Sequence, residues 1–202
     1  MKKVILPLAL GVTLLGIGLT NQTTSFAQGK TSPKIVQTAK NSAPAFKLKN
    51  KKGKTVSLST YKGKKVYINV WATWCGPCMR EIPDLEKIYQ TYKHKKDFVF
   101  LSVTSPNDSK YKNSDPIDKD KSTILSKAKD KGITYPILYD YQDNFAQAYG
   151  IRSIPTHIFI NSDGSLSEKI AGGLDEDSLK YYLKKLKVTK FPVSLVGGVG
   201  LI

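Results

Sequence analysis

The chain of 202 residues carries 32 lysines and arginines against 16 aspartates and glutamates, a formal net charge of +16. Its only arginines are Arg80 and Arg152, which excludes a function built on the bidentate guanidinium contacts of nucleic-acid readout; no nucleic-acid partner is expected. The length suits one domain with a sizeable core, and a lysine-coated surface would draw an exported chain toward anionic lipid headgroups or an acidic cell wall.

Lys2 and Lys3 precede an apolar run from Val4 to Leu19, and Ser25-Phe26-Ala27 sets small residues at −3 and −1 of a cleavage site. Residues 1–27 are therefore expected to be a signal peptide or, uncleaved, an N-terminal membrane anchor, because no charge falls between Val4 and Gly29. Their removal takes two lysines and no acids and lowers the net charge from +16 to +14. No cysteine near the signal is available for lipid modification. Residues 28–44, rich in Gln, Thr, Lys and Pro, read as a linker. The domain is expected over residues 45–187.

Phe46-Lys47-Leu48 and Thr55-Val56-Ser57-Leu58 alternate apolar and polar residues and predict a hairpin turning at Asn50–Gly53. After a short turn over 59–63, Lys65–Val70 reads as a strand leading into Trp71-Ala72-Thr73-Trp74-Cys75-Gly76-Pro77-Cys78. A helix follows from Met79 to Lys93, burying Ile82, Leu85, Ile88, Tyr89 and Tyr92 at spacings of three and four, with a kink at Pro83. Phe98–Val103 is a short uncharged apolar run, which with Val66–Val70 suggests parallel strands covered on both faces. Ser105 to Lys121 reads as a flexible surface loop. Ile124, Leu125 and Ala128 mark one face of a short helix, Tyr135–Tyr139 a strand, and Asn144–Tyr149 a second short helix closed by Gly150. Thr156–Ile160 and Leu166–Ile170 form a hairpin through the turn Asn161-Ser162-Asp163-Gly164. Asp175-Glu176-Asp177 opens a last helix burying Leu179, Tyr182, Leu183 and Leu186. The apolar tail, residues 188–202, is too short to cross a membrane.

Cys75 and Cys78 are the only cysteines. Spaced i and i+3 at a helix start, they lie on one face, close enough to close a small ring. At or just before the helix tip, unpaired backbone N–H groups and the positive end of the dipole favour a thiolate on Cys75. Pro77 fits the first turn, where no intrahelical N–H is needed. Cys75 is thus expected to exchange with a partner disulfide and Cys78, one turn deeper, to resolve the adduct. Zinc would need four ligands, and only His94 and His157 are left to complete a set, so no metal is expected. Haem attachment would need a histidine where Met79 stands. A purely structural disulfide in a non-catalytic surface binding module is the reading from another class, but so small a ring removes little unfolded-state entropy.

The run Asn69 to Pro83, with Ile154-Pro155-Thr156 before a later strand, resembles the thioredoxin superfamily and, more closely, its extracytoplasmic TlpA/ResA-like branch. The resemblance covers about Ala45 to Lys187. It implies an α/β thioredoxin fold: a central mixed sheet flanked by helices, in the order β-β-β-α-β-α-β-α-β-β-α, with an N-terminal β-hairpin extension. It implies a thiol-disulfide oxidoreductase with a redox-active Cys75–Cys78 disulfide and no cofactor. Pro155 corresponds to a cis-proline that faces the cysteines. Trp74, Gly76, Pro77, Ile154, Pro155 and Thr156 would form the substrate surface, with Ile154 and Thr156 offering backbone groups to a substrate strand. Asn69 replaces the buried aspartate of cytosolic thioredoxins, and Glu81 matches a branch-specific acid that could take the proton of Cys78. Trp71 is expected in the core and His157 as an exposed strand residue.

Gly76-Pro77 matches the dipeptide of thioredoxin, a reductant near about −270 mV, and so favours a reductase over an oxidase that installs disulfides. The resemblance implies exported disulfide-containing substrates, such as methionine sulfoxide reductases or apocytochromes. It also implies electrons from a membrane thiol transporter of the CcdA/DsbD type, at the outer face of a bacterial cytoplasmic membrane. A peroxidase would need a threonine where Ala72 stands.

Overall fold

The computed structural model describes residues 41–110 and 116–189. The expectations for the signal or anchor, for the linker up to residue 40, and for the tail from residue 190 lie outside those residues.

Seven strands form one mixed sheet. The hairpin β1 (Lys47–Asn50) and β2 (Thr55–Ser57) turns through Gly53. Gly53 takes φ +76°, a conformation open to glycine at no steric cost. The Asn50 side-chain oxygen fixes the turn by accepting from the N–H groups of Lys52 and Lys54, each at 3.0 Å. β3 (Lys65–Val70) and β4 (Phe98–Thr104) run parallel, Lys65 opposite Phe98 and Val70 opposite Val103. β5 (Ile137–Tyr139) continues the parallel part beside β4. β6 (Thr156–Ile160) and β7 (Leu166–Ala171) add antiparallel strands beyond β3. The order is β2-β1-β5-β4-β3-β6-β7, so the N-terminal hairpin extends the sheet through β1 and β5.

Among the described residues four α-helices follow strands β3, β4, β5 and β7: α1 (Gly76–Tyr92), α2 (Lys121–Asp130), α3 (Asn144–Ala148) and α4 (Glu176–Lys185). The element order expected from the sequence is the one observed. Asp120 and Asp175 cap α2 and α4, accepting from the N–H groups of Thr123 and Ser178, which satisfies donors that a helix start leaves free. Gly150 ends α3 at φ +56°, with its N–H on the Gln147 carbonyl.

Successive side chains of β3 point to opposite faces, and two cores result. Val66, Ile68 and Val70 pack with Leu101, Val103, Phe145, Ile158 and Ile160. Tyr67 packs on the other side with Leu85 and Ile88 of α1, Phe100, Phe159, and Leu179 and Leu183 of α4. Ile88 is 1% exposed. Ile88→Val, which removes one buried methylene, is expected to cost about 0.5–1.5 kcal/mol, read as a lower urea midpoint at unchanged slope.

Three details differ from the sequence reading. Leu125 is exposed, while Ile124 and Ala128 carry the buried face of α2; the helix packs along a stripe one residue wide. Tyr89, Tyr92 and Tyr182 sit half-buried at the edge of the core, which leaves their hydroxyl ends near solvent. Pro83 lies exposed within α1, which begins at Gly76 rather than at Met79.

Candidate active site

Cys75 is the N-cap of α1, with extended backbone (φ −78°, ψ 100°), and its sulfur accepts from the Cys78 N–H at 3.2 Å. The helix therefore starts at Gly76, three residues earlier than the apolar spacing alone marks. Cys75 and Cys78 are joined by a disulfide with Cα atoms 5.2 Å apart. Cys75 is 3% exposed and Cys78 0%, whereas Gly76 and Pro77 between them face solvent. When the bond is reduced, the amide that now contacts the Cys75 sulfur is placed to stabilise a thiolate, with the helix dipole acting in the same sense. Cys78, one turn into the helix and out of contact with water, has no such advantage.

Around the sulfurs lie Trp71, Ala72, Ile124, Ala128, Tyr139 and Tyr141, with Met79, Ile117 and Ile154 at the margin. Trp71 is core, as expected, at 1% exposure; Trp74 is 61% exposed. The Trp74 indole is not free to swing, because its Nε1–H donates to the Ile117 carbonyl at 2.6 Å. Burial raises the Tyr139 hydroxyl to a pKa of about 12, with Tyr141 as a lesser cause. A groove of about 660 Å³ runs beside Trp74 and is lined by Ile117, Gln147, Ile151, Arg152 and Ile154, among others.

The segment read as a flexible surface loop is anchored at both described ends, a restraint that reading did not include, while residues 111–115 lie outside the described residues. Ser105, Pro106 and Asp118 are buried. Asp118 accepts from the Thr73 N–H at 2.9 Å, the Thr73 hydroxyl at 2.5 Å and the Thr104 hydroxyl at 3.0 Å. The polar composition that suggests a loop here supplies the acceptor that fastens the residues just before Cys75.

The Ile154–Pro155 peptide bond is cis. Pro155 is buried, and its carbonyl accepts from the Gly172 N–H at 2.9 Å. Thr156 lies inside the sheet, flanked by Val70 and Ala171. Ile154, like Pro155, precedes the first paired residue of β6 and is half-buried against the cluster that holds the cysteines.

Glu81 follows Cys78 by three residues on the same helix and is 5% exposed. Its Oε1 accepts from the Asn69 amide at 2.9 Å and its Oε2 from the Leu174 N–H at 3.3 Å. His157, expected on an exposed strand position, is fully buried. β6 lies between β3 and β7 and is covered on both faces, so no position along it reaches water. His157 Nε2 stands 3.3 Å from Glu81 Oε2, a close polar contact without hydrogen-bond alignment. On its other side Nδ1 lies 2.7 Å from the Tyr67 hydroxyl. Burial, followed by the nearby Glu81 and Tyr135, pushes Tyr67 well above the usual tyrosine pKa.

The structure thus gathers Trp74, Cys75, Gly76, Pro77, Cys78 and Ile154 at one end of the sheet, with Glu81 one turn behind. The sequence reading missed Asp118 and the Tyr67–His157 pair. The register of β3 against β6 places Asn69 opposite His157, and no local pattern announces that pairing.

The family model described as Redoxin matches residues 38–184. A thiol-disulfide oxidoreductase ResA of Geobacillus kaustophilus (strain HTA426) is 32% identical over 176 residues, covering 87% of this chain and 91% of that protein. Among solved structures, the pneumococcal exposed lipoprotein thioredoxin Etrx1 of Streptococcus pneumoniae strain TIGR4 is 34% identical with a TM-score of 0.57, over 71% of this chain and all of that one (100%). A putative thioredoxin from Neisseria meningitidis is 31% identical with a TM-score of 0.58, over 71% of this chain and 88% of that one.

Proposed function

The chain belongs to the Redoxin family and is a thioredoxin-like thiol-disulfide oxidoreductase of the TlpA/ResA-like kind, and on that premise we propose that it reduces disulfides of exported proteins outside the cytoplasm. The observation that carries the direction is the exposed Gly76-Pro77 pair between the two cysteines, the dipeptide of a strong thiol reductant. The substrates are exported proteins such as methionine sulfoxide reductases or apocytochromes. The electrons come from a membrane thiol transporter of the CcdA/DsbD type. The name of the pneumococcal neighbour, an exposed lipoprotein, supports a site of action at the outer face of the membrane, with residues 45–187 as the catalytic domain.

In the proposed cycle the Cys75 thiolate attacks a substrate disulfide, bonds to one sulfur and releases the other as a thiolate. The substrate lies over Trp74, Gly76 and Pro77 and beside Ile154, where the groove beside Trp74 receives its side chains; Pro155 and Thr156, buried behind Ile154, support that edge rather than touch the substrate. The Cys78 thiol then loses its proton to Glu81, and its sulfur attacks Cys75. The Cys75–Cys78 disulfide forms, the second substrate sulfur leaves, and the proton returns to a departing thiolate through solvent. Two electrons have passed to the substrate, and the donor restores the dithiol by the reverse exchanges.

Equilibration of the Cys75–Cys78 pair with glutathione buffers tests the direction. The expected potential lies well below that of protein disulfide isomerase, about −180 mV, and toward that of thioredoxin, about −270 mV. A value above about −180 mV would overturn the reductase assignment in favour of a thiol oxidase.

A further inference from the structure

Thiol exchange as described uses only one end of a buried polar line that runs from Tyr67 through His157 to Glu81. We infer that His157, backed by Tyr67, is a positioning residue for the resolving step, holding the Glu81 carboxylate charged and aimed so that it accepts the proton of Cys78. The inference rests on the reading of Glu81 as that acceptor.

One tautomer of His157 serves both of its neighbours. Tyr67 and His157 are both fully buried, at 0% exposure, so neither has water as a partner. The Tyr67 hydroxyl, held well above its ordinary pKa by burial, keeps its proton, and in that tautomer it donates to His157 Nδ1 across 2.7 Å. A neutral imidazole that accepts at Nδ1 carries its proton on Nε2. That N–H then lies 3.3 Å from Glu81 Oε2, a dipole beside the carboxylate that is not aligned as a hydrogen bond. An imidazole engaged on its far nitrogen by a third group is held in one tautomer and one orientation toward the carboxylate.

Every neighbour with charge or polarity on this side has a defined place. Asn69 of β3 holds the other carboxylate oxygen. The backbone N–H of Leu174, between β7 and α4, shares Oε2. Tyr135, whose own pKa is raised by burial and then by Glu81 and Glu86, keeps its proton too. β7 presents Ile170 beside His157, with no charge. His157 is therefore the one ionisable group in direct contact with the carboxylate among the described residues. Removing its N–H takes away the positive end of a dipole beside the charged carboxylate, so resolution should need a higher pH.

The test follows the two stages of the reaction with a coloured aromatic disulfide and the fully reduced, full-length chain. The first equivalent of coloured thiol reports attack by Cys75; the second reports resolution by Cys78. His157→Leu is expected to move the pH midpoint of the second stage upward by about one unit, a roughly tenfold slowing below the midpoint, while the first stage is unchanged. His157→Gln and Tyr67→Phe, which keep the side-chain volume near native, are expected to shift it in the same direction and by less. An unmoved midpoint in all three, alongside a profile that Glu81→Gln alters, would overturn the role of His157 and leave Glu81 standing. A profile that Glu81→Gln leaves unaltered would remove the acceptor, and the inference with it.

Discussion

Replacing Cys75 by Ser should reduce insulin-disulfide reduction with a chemical reductant to the uncatalysed rate. Serine keeps the shape and the N-cap acceptor but not a nucleophile that ionises near neutral pH, so the helix should persist while the chemistry stops. The companion variant Cys78→Ala should keep the first attack and lose the second. Its mixed disulfides should accumulate as adducts that are stable on non-reducing gels and released by excess thiol. Stability separates this reading from that of a structural staple. The bond spans three residues of sequence, so its chain-entropy contribution is at the small end for a disulfide, and Cys75→Ser should unfold within a few degrees of the parent. Unaltered turnover in Cys75→Ser would remove the catalytic assignment, and a large loss of stability at unaltered turnover would make the pair a staple.

What the sequence made legible here is local. Apolar alternation marked the hairpin and β7, three-and-four spacing marked α1, and the acidic triplet marked the start of α4, whose cap is Asp175. The cysteine spacing placed both sulfurs on one turn, and the family resemblance placed Pro155, whose cis bond the structure contains. His157 was not legible because β6 is an inner strand with five buried positions in a row. In such a strand alternation no longer separates a solvent face from a core face, and a polar residue is tolerated only if distant partners satisfy it. The Tyr67 hydroxyl that satisfies one ring nitrogen and the Glu81 carboxylate near the other lie 90 and 76 positions away by residue number. Asp118 was hidden for the opposite reason. It sits in a polar stretch that predicts exposure, and only the contact with Thr73, 45 positions earlier, reveals it as an anchor.

That anchor carries the largest stability effect expected of a single polar substitution here. Asp118 is 6% exposed, and its two oxygens accept from the Thr73 N–H and hydroxyl, the Thr104 hydroxyl and the Lys119 N–H. Asp118→Ala would leave buried donors from Thr73 and Thr104 unpaired, at about 1–3 kcal/mol each where water cannot enter. Water reaching some of them limits the total, and a loss of about 3–5 kcal/mol is expected, the scale of breaking a buried polar network. Asp118→Asn keeps one acceptor oxygen and should lose about half as much. The damage should reach the chemistry as well. Thr73 is two residues before Cys75, and Ile117, next to Asp118, holds the Trp74 indole. Freeing both ends lets the rim of the site move, so substrate affinity should weaken more than the turnover of bound substrate, which depends on the helix tip itself. Urea unfolding followed by tryptophan fluorescence measures the first effect, and KM against kcat for a disulfide substrate measures the second. A loss under about 1 kcal/mol in Asp118→Ala would mean that the apolar packing around Trp71 and Ile124, rather than this carboxylate, holds the segment in place.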